Sequence, residues 1–164
     1  MDIISKNSIS IAGEFAVLSQ LVLRGFDANM TLGHTKGVDI LVSDPIRNKM
    51  FKMEVKTHLG KFPSRSKTVG WVMSEKHEKI VDENLYYCFV NIDINPHIFK
   101  FYIVPSAVVA KYVKESHEHW LTVNNHNPTS MREFTLALSE DNYAIETPLA
   151  KDYENKWNFR NDLL

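Results

Sequence analysis

A single α/β domain, with a mixed sheet flanked by helices, is the fold class this sequence predicts, and three observations carry that expectation. The chain has 164 residues with 44% apolar and 24% charged content, which is one ordinary domain with room for a sizeable core. Helix-periodic segments alternate with short runs rich in β-branched and aromatic residues from end to end. No internal repeat, low-complexity tract or Pro/Gly/Ser-rich linker interrupts the alternation.

The first helix is expected from about Ile11 to Arg24, with Val17, Leu18, Leu21 and Val22 on one side, Ser8 or Ser10 as its cap and Gly25 to stop it. Strand-like runs follow at Ala28 to Thr31, Val38 to Val42 and Met50 to Thr57. Ser74 to Val81 reads as a short helix opened by a serine cap. Leu85 to Ile92 and Phe99 to Val104 read as two further strands, separated by a turn at Asn95-Pro96. Pro105-Ser106 then starts a helix from Ala107 to about Trp120. Beyond it the pattern weakens to a strand at Phe134 to Leu138 and a helix at Tyr153 to Phe159. The expectation is one domain over 1–164, with its core at about 8–122 and 123–164 as an extension packed on that core.

Apolar runs such as Phe15 to Leu18 fall far short of the ~18 residues a membrane helix requires. The start Met1-Asp2-Ile3-Ile4-Ser5-Lys6 lacks the features of a secretory signal, which predicts a cytoplasmic protein. Cys88 is the one cysteine and lies in an apolar run, so neither a disulfide framework nor a Cys-based zinc site is expected. The net charge of −1 hides an uneven distribution: nine Lys or Arg against three Glu between Arg47 and Lys79 give +6, and the rest of the chain sums to −7. A lysine-rich solvated face accounts for such a stretch unless chemistry lies beside it.

Chemistry does lie beside it. Asp44-Pro45 and Asn48 mark a loop centred between Ile46 and Arg47, so that cross-strand partners have numbers adding to 93. That register sets Val38 against Val55, Ile40 against Met53 and Val42 against Phe51 on an apolar face, and Asp39 against Glu54 on the other. A slip of one residue would drive charges into the apolar face. Opposed like charges destabilise a sheet; at an effective dielectric near 20 and about 4 Å they repel by roughly 4 kcal/mol, more than one exposed salt bridge returns. Removing either carboxylate is therefore expected to leave folding unharmed or improved. Lys56, two residues beyond Glu54 on the same face, supplies one compensating charge, and Gly37 opposite it leaves space for a substrate. A divalent cation supplies more, and hard oxygen ligands suit magnesium or manganese. Two readings of the pair stand: solvated residues neutralised by Lys56, or a metal-binding pair. Glu14 shifts the balance toward the second, because it borders the helix face that packs toward the sheet and needs a partner there.

These residues resemble the PD-(D/E)xK nuclease superfamily and its restriction-endonuclease-like fold. That family's site joins an Asp on one strand to (Asp/Glu)-x-Lys on the next, often with a Glu from the preceding helix. Asp39 matches the first acid, Glu54-Val55-Lys56 the Glu-x-Lys and Glu14, after Gly13, the helical Glu, while Val38 stands where the motif has Pro. The likeness covers about 10–104 in element order, and Phe101 to Ser106 and His119-Trp120-Leu121 are similar to small bacterial members.

The resemblance implies a metal-dependent endonuclease acting on DNA, in a restriction or other defence setting, as a homodimer where both strands are cut. It implies that Asp39 and Glu54 hold one Mg (or Mn) ion with the Val55 carbonyl, and that Glu14 acts through water or at a second ion. Lys56 is implied to orient the attacking water and stabilise the developing charge. Lys61, Arg65 and Lys67 follow the site and are expected to contact DNA phosphates. The superfamily also contains silent relatives, so an inactive DNA-binding or protein-interaction module is the alternative. Thr57 reads as a strand residue, His58 as a loop residue and Trp71 as core. The spacing of His117 and His119 does not make a helical metal pair. Tyr86, Tyr87, Phe89, Phe99, Phe101 and Tyr102 read as strand packing and receive no role.

Overall fold

The computed structural model describes residues 4–31, 37–61, 66–124 and 127–159. Helix α1 (Lys6–Val22) starts a turn earlier than expected, because Ser5 is the cap and its side-chain oxygen accepts the Ser8 N–H. Ser10 is thereby freed for another partner, described below. Gly25, in the left-handed region at φ 83°, follows the helix end. The chain then lays down β1 (Asp27–Met30), β2 (Ile40–Asp44) and β3 (Lys49–Leu59) as an antiparallel series.

The β2–β3 register is the expected one: Ile40 faces Met53 and Val42 faces Phe51. Asp44 fixes the turn by accepting the N–H groups of Ile46 and Arg47, and Asn48 takes a φ of 52° to close it. Strand β4 (Thr68–Ser74) leaves the sheet, a 3-10 turn (Glu75–Glu78) follows, and β5 (Leu85–Ile92) returns parallel to β3. β6 (Phe99–Pro105) pairs antiparallel to β5, giving a five-stranded sheet in the order β1-β2-β3-β5-β6. After α2 (Ser106–Asn124), β7 (Met131–Ala137) pairs with β4 in a second, two-stranded sheet. The architecture is thus α/β, with a mostly antiparallel central sheet flanked by helices. No described helix is long and apolar enough to cross a membrane.

The sheet buries two cores. Val17 and Leu21 of α1 pack on Ile40, Val42, Met53, Val55, Cys88 and Val90 on one face. Val109 and Val113 of α2, with Trp71, Phe134 and Leu136 from the small sheet, pack on Leu85, Tyr87, Phe89, Tyr102 and Val104 on the other. Trp71 is core as expected, its ring N–H donating to the Val90 carbonyl at 2.9 Å. Cys88 is fully buried, which pushes its thiol well up.

Three expectations change. His58 lies within β3 and not in a loop. The last helix, α3 (Ala150–Tyr153), precedes the expected span 153–159: Asn155 turns into the left-handed region at φ 56°, and Trp157 and Phe159 then bury alternately, which strands do and helices do not. Residues beyond 123 do more than pack on a core, since Phe134 and Leu136 help to form one face and Trp157 and Phe159 the other.

Candidate active site

The paired ladder of β2 and β3 ends at Ile40 and Met53, one residue short of Asp39. There Asp39 grips β3 on either side of Glu54: its N–H donates to the Met53 carbonyl at 2.8 Å, and its carboxylate accepts the Val55 N–H at 2.7 Å. A side chain has replaced a backbone acceptor in the ladder at this point. The chain before Asp39 consequently leaves the expected register, and Gly37 lies over Glu54 and not over Lys56. A Cβ at Gly37 would sit 3.4 Å from Glu54 Oε2, and its φ of 76° favours glycine.

Glu54 is buried at 3% exposure yet charged. Burial pushes its carboxyl up, but the hydrogen bond from His77 and the charge and hydrogen bond of Lys56 outweigh that and hold it down at about 2. Lys56 Nζ lies 2.6 Å from Oε1, and His77 Nε2 lies 3.3 Å from the same oxygen. Oε2 is buried without a hydrogen-bond partner among the described residues. One expectation is corrected by this geometry. Lys56 and His77 more than compensate the like-charge repulsion at Glu54, so removing this carboxylate unpairs a buried histidine instead of relieving strain. Relief remains the expectation for Asp39, whose carboxyl burial pushes up against the Val55 N–H, with the Glu54 charge adding to the rise.

Glu14 approaches from α1. Gly13, buried against the Thr57 side chain with no room for a Cβ, brings this end of the helix onto β3. Burial pushes the Glu14 carboxyl up, although the Ser10 hydroxyl donates to it at 3.0 Å, and it is coupled to both Asp39 and Lys56. The structure therefore brings Glu14, Asp39, Glu54 and Lys56 into one electrostatic cluster where β2 and β3 part. Among the described residues no three His, Cys, Asp or Glu side chains are grouped so that they could hold a metal ion.

Lys61 is exposed on the chain just after β3. Lys67 is also exposed but forms an ion pair with Asp141, which raises its pKa. Arg65 lies outside the described residues.

Three residues near the site were given no role in it from sequence. His77 sits three places after the cap Ser74, where a capping box carries Glu or Gln, and that pattern was its one signal. Lys76 beside it lowers the Asp39 pKa. Tyr87 is the parallel partner of Glu54 in β5, and burial, the Glu54 charge and the closeness of its hydroxyl to that carboxylate push the hydroxyl well up. No local pattern announces a pairing that spans the β4 excursion.

No family model and no curated protein sequence matches this chain. Among solved structures it is similar to a bacterial homing endonuclease, at 15% identity and a TM-score of 0.55, over 95% of this chain and 91% of that one. At that identity the likeness is one of fold.

Proposed function

We propose that this protein is a metal-dependent DNA endonuclease of the PD-(D/E)xK type, hydrolysing phosphodiester bonds with Asp39, Glu54, Lys56 and Glu14. The observation that carries this reading is the asymmetry of Glu54: one oxygen holds Lys56 and His77, and the other is buried between Gly37 and the Tyr87 hydroxyl without a well-formed hydrogen bond among the described residues. A buried carboxylate oxygen without a donor is costly unless a ligand supplies the missing interaction. Likeness of fold to a homing endonuclease supports the coarser part of this reading, a nuclease-like fold.

The donor set fits a hard divalent cation. Magnesium is usually held by one or two carboxylates together with substrate phosphate and water, not by a cage of protein ligands. Asp39 and Glu54 Oε2 would hold it, with the Val55 carbonyl beside them and Glu14 acting through water. A bound Mg or Mn ion would neutralise the scissile phosphate and lower the pKa of the attacking water. Lys56 Nζ, fixed by its 2.6 Å contact with Glu54, orients the water that attacks phosphorus and stabilises charge as the bond to the leaving sugar oxygen breaks. Lys61, Arg65 and Lys67 contribute sequence-independent phosphate contacts.

The test is incubation of the purified chain with supercoiled plasmid and with single-stranded DNA, in magnesium, manganese or chelator. Nicking that needs the metal and disappears in Lys56→Ala is the expected outcome. DNA binding without cleavage in either metal would replace this reading with a silent DNA-binding module.

A further inference from the structure

We infer that His77 is a positioning residue of this site, committing one oxygen of Glu54 to the protein so that the other is presented to a divalent cation. The inference rests on the proposed function and deepens it. His77 is 3% exposed and belongs to the 3-10 turn after β4. Its Nδ1 is held by Ser74, at 3.1 Å from the backbone nitrogen, 2.9 Å from the carbonyl oxygen and 3.1 Å from Oγ. Its Nε2 faces Glu54 Oε1 at 3.3 Å.

The direction of the Glu54 bond follows from the chemistry of the ring. When Nδ1 accepts the Ser74 N–H, the neutral ring carries its hydrogen on Nε2 and donates it to Glu54. The imidazolium, donating from Nδ1 to the Ser74 carbonyl, also donates from Nε2. The remaining tautomer would aim a lone pair at a carboxylate and is disfavoured. One ring thus caps its own turn with one nitrogen and holds the carboxylate with the other.

The turn that carries the ring is braced. The Glu75 N–H donates to the Ser130 carbonyl at 3.0 Å, and Glu78 forms an ion pair with the buried Arg132, which also donates to the Thr129 and Met131 carbonyls. Edge-on packing against Tyr87, with ring centroids 5.8 Å apart, limits rotation of the imidazole. Lys56 supplies a full positive charge to Glu54, and His77 adds a directional donor to the same oxygen. A second donor on the same oxygen fixes which oxygen is turned toward Gly37. Groups that orient a metal ligand in this manner typically contribute about 10–100-fold to affinity or activity.

Two variants separate the two ends of the ring. His77→Asn keeps a polar atom at the Nδ1 position for Ser74 but cannot reach Glu54, whereas His77→Gln places an amide near the Nε2 position. Mn2+ binding to the full chain, read from the free-ion electron paramagnetic resonance signal, is measured beside plasmid nicking and thermal unfolding. Expected is a loss of about 10–100-fold in Mn2+ affinity and nicking rate for His77→Asn, with recovery to within about threefold of the parent in His77→Gln. If His77→Asn binds Mn2+ and nicks DNA as the parent does, the positioning role is wrong and the endonuclease reading stands. If the parent neither binds Mn2+ nor nicks DNA, both fall. A folded His77→Gln as impaired as His77→Asn also overturns the inference, since the donor to Glu54 would then not be what matters.

Discussion

Tyr86 and Tyr87 are neighbours in β5 and point to opposite faces of the central sheet, and their hydroxyls have opposite fates. Tyr86 donates to the Phe159 carbonyl at 3.2 Å on the α1 side, whereas the Tyr87 hydroxyl, beside Glu54, has no hydrogen-bond partner among the described residues. The contrast extends along both faces. On the α1 side the buried hydrocarbon and aromatic groups are joined by Asp44, which is satisfied by the turn N–H groups, and by the Thr57 hydroxyl, unpartnered among the described residues. On the side of α2 and the small sheet, Glu54 Oε2, the Asn91 amide and the Tyr102 hydroxyl are also buried without partners. Buried polar groups without protein partners cost free energy, so the face that carries more of them, Glu54 among them, is the less favourable of the two.

The largest way to test that division is to cut into the stabilising face. Leu21→Ala removes a fully buried side chain from α1 and is expected to cost about 2–5 kcal/mol in urea unfolding, without altering the electrostatics of Glu54. Next is acid. Glu54 is held at about 2 against an ordinary 4.5, so its charge stabilises the fold above pH 4.5, and that contribution, about 3 kcal/mol at most, is lost as pH falls toward 2. Glu54→Gln should be less stable than the parent at pH 7 and flatter across this window; equal slopes would show that the carboxylate is not held as described.

Gly13→Ala would drive a methyl group into Thr57, with an expected cost of about 1–3 kcal/mol, or roughly 2–4 °C in thermal unfolding per kcal/mol. Asp39→Asn should go the other way. A carboxyl pushed up is penalised while charged and relieved as pH falls through its folded pKa, so the amide, which can still accept the Val55 N–H, is expected to be neutral or up to about 1 kcal/mol stabilising at pH 7. Smallest is the effect of the basic loop on DNA binding. Lys61→Ala should lower the log–log salt slope by about 0.9, and Lys67→Ala by less, because Asp141 already competes for that ammonium.

What could be read from sequence divides along physical lines. The β2–β3 register was legible because side-chain parity is locked once one face is apolar: any slip buries Lys52 or Glu54 against α1. β5 was legible from its apolar run over 85–90, as expected of a strand buried on both faces. β4 was not, because Gly70 and the exposed Val72 erase the apolar–polar contrast around Val69, Trp71 and Met73. At the site, the local juxtaposition of Asp39, Glu54 and Lys56 came from spacing. The partners of Glu54 that reverse the sign of its energetics came from elsewhere in the chain: His77 lies 23 residues away, and Tyr87 on a parallel strand. Spacing reveals repulsion between neighbours, while compensation from distant elements depends on tertiary closure.

The brace on the 3-10 turn has a consequence for the order in which the molecule matures. Glu78 is tied to a residue 54 positions further along the chain. A ribosome will therefore have supplied every carboxylate of the site, the lysine and even the histidine before β7 exists to secure the turn that presents it. Loop closure over such a span is slow relative to hairpin formation. The acidic cluster should form early with the β2–β3 hairpin and remain slack, and Glu54 should acquire its final orientation only when the second sheet zips shut. In a chain that cuts DNA, such timing would tie competence to completion of synthesis.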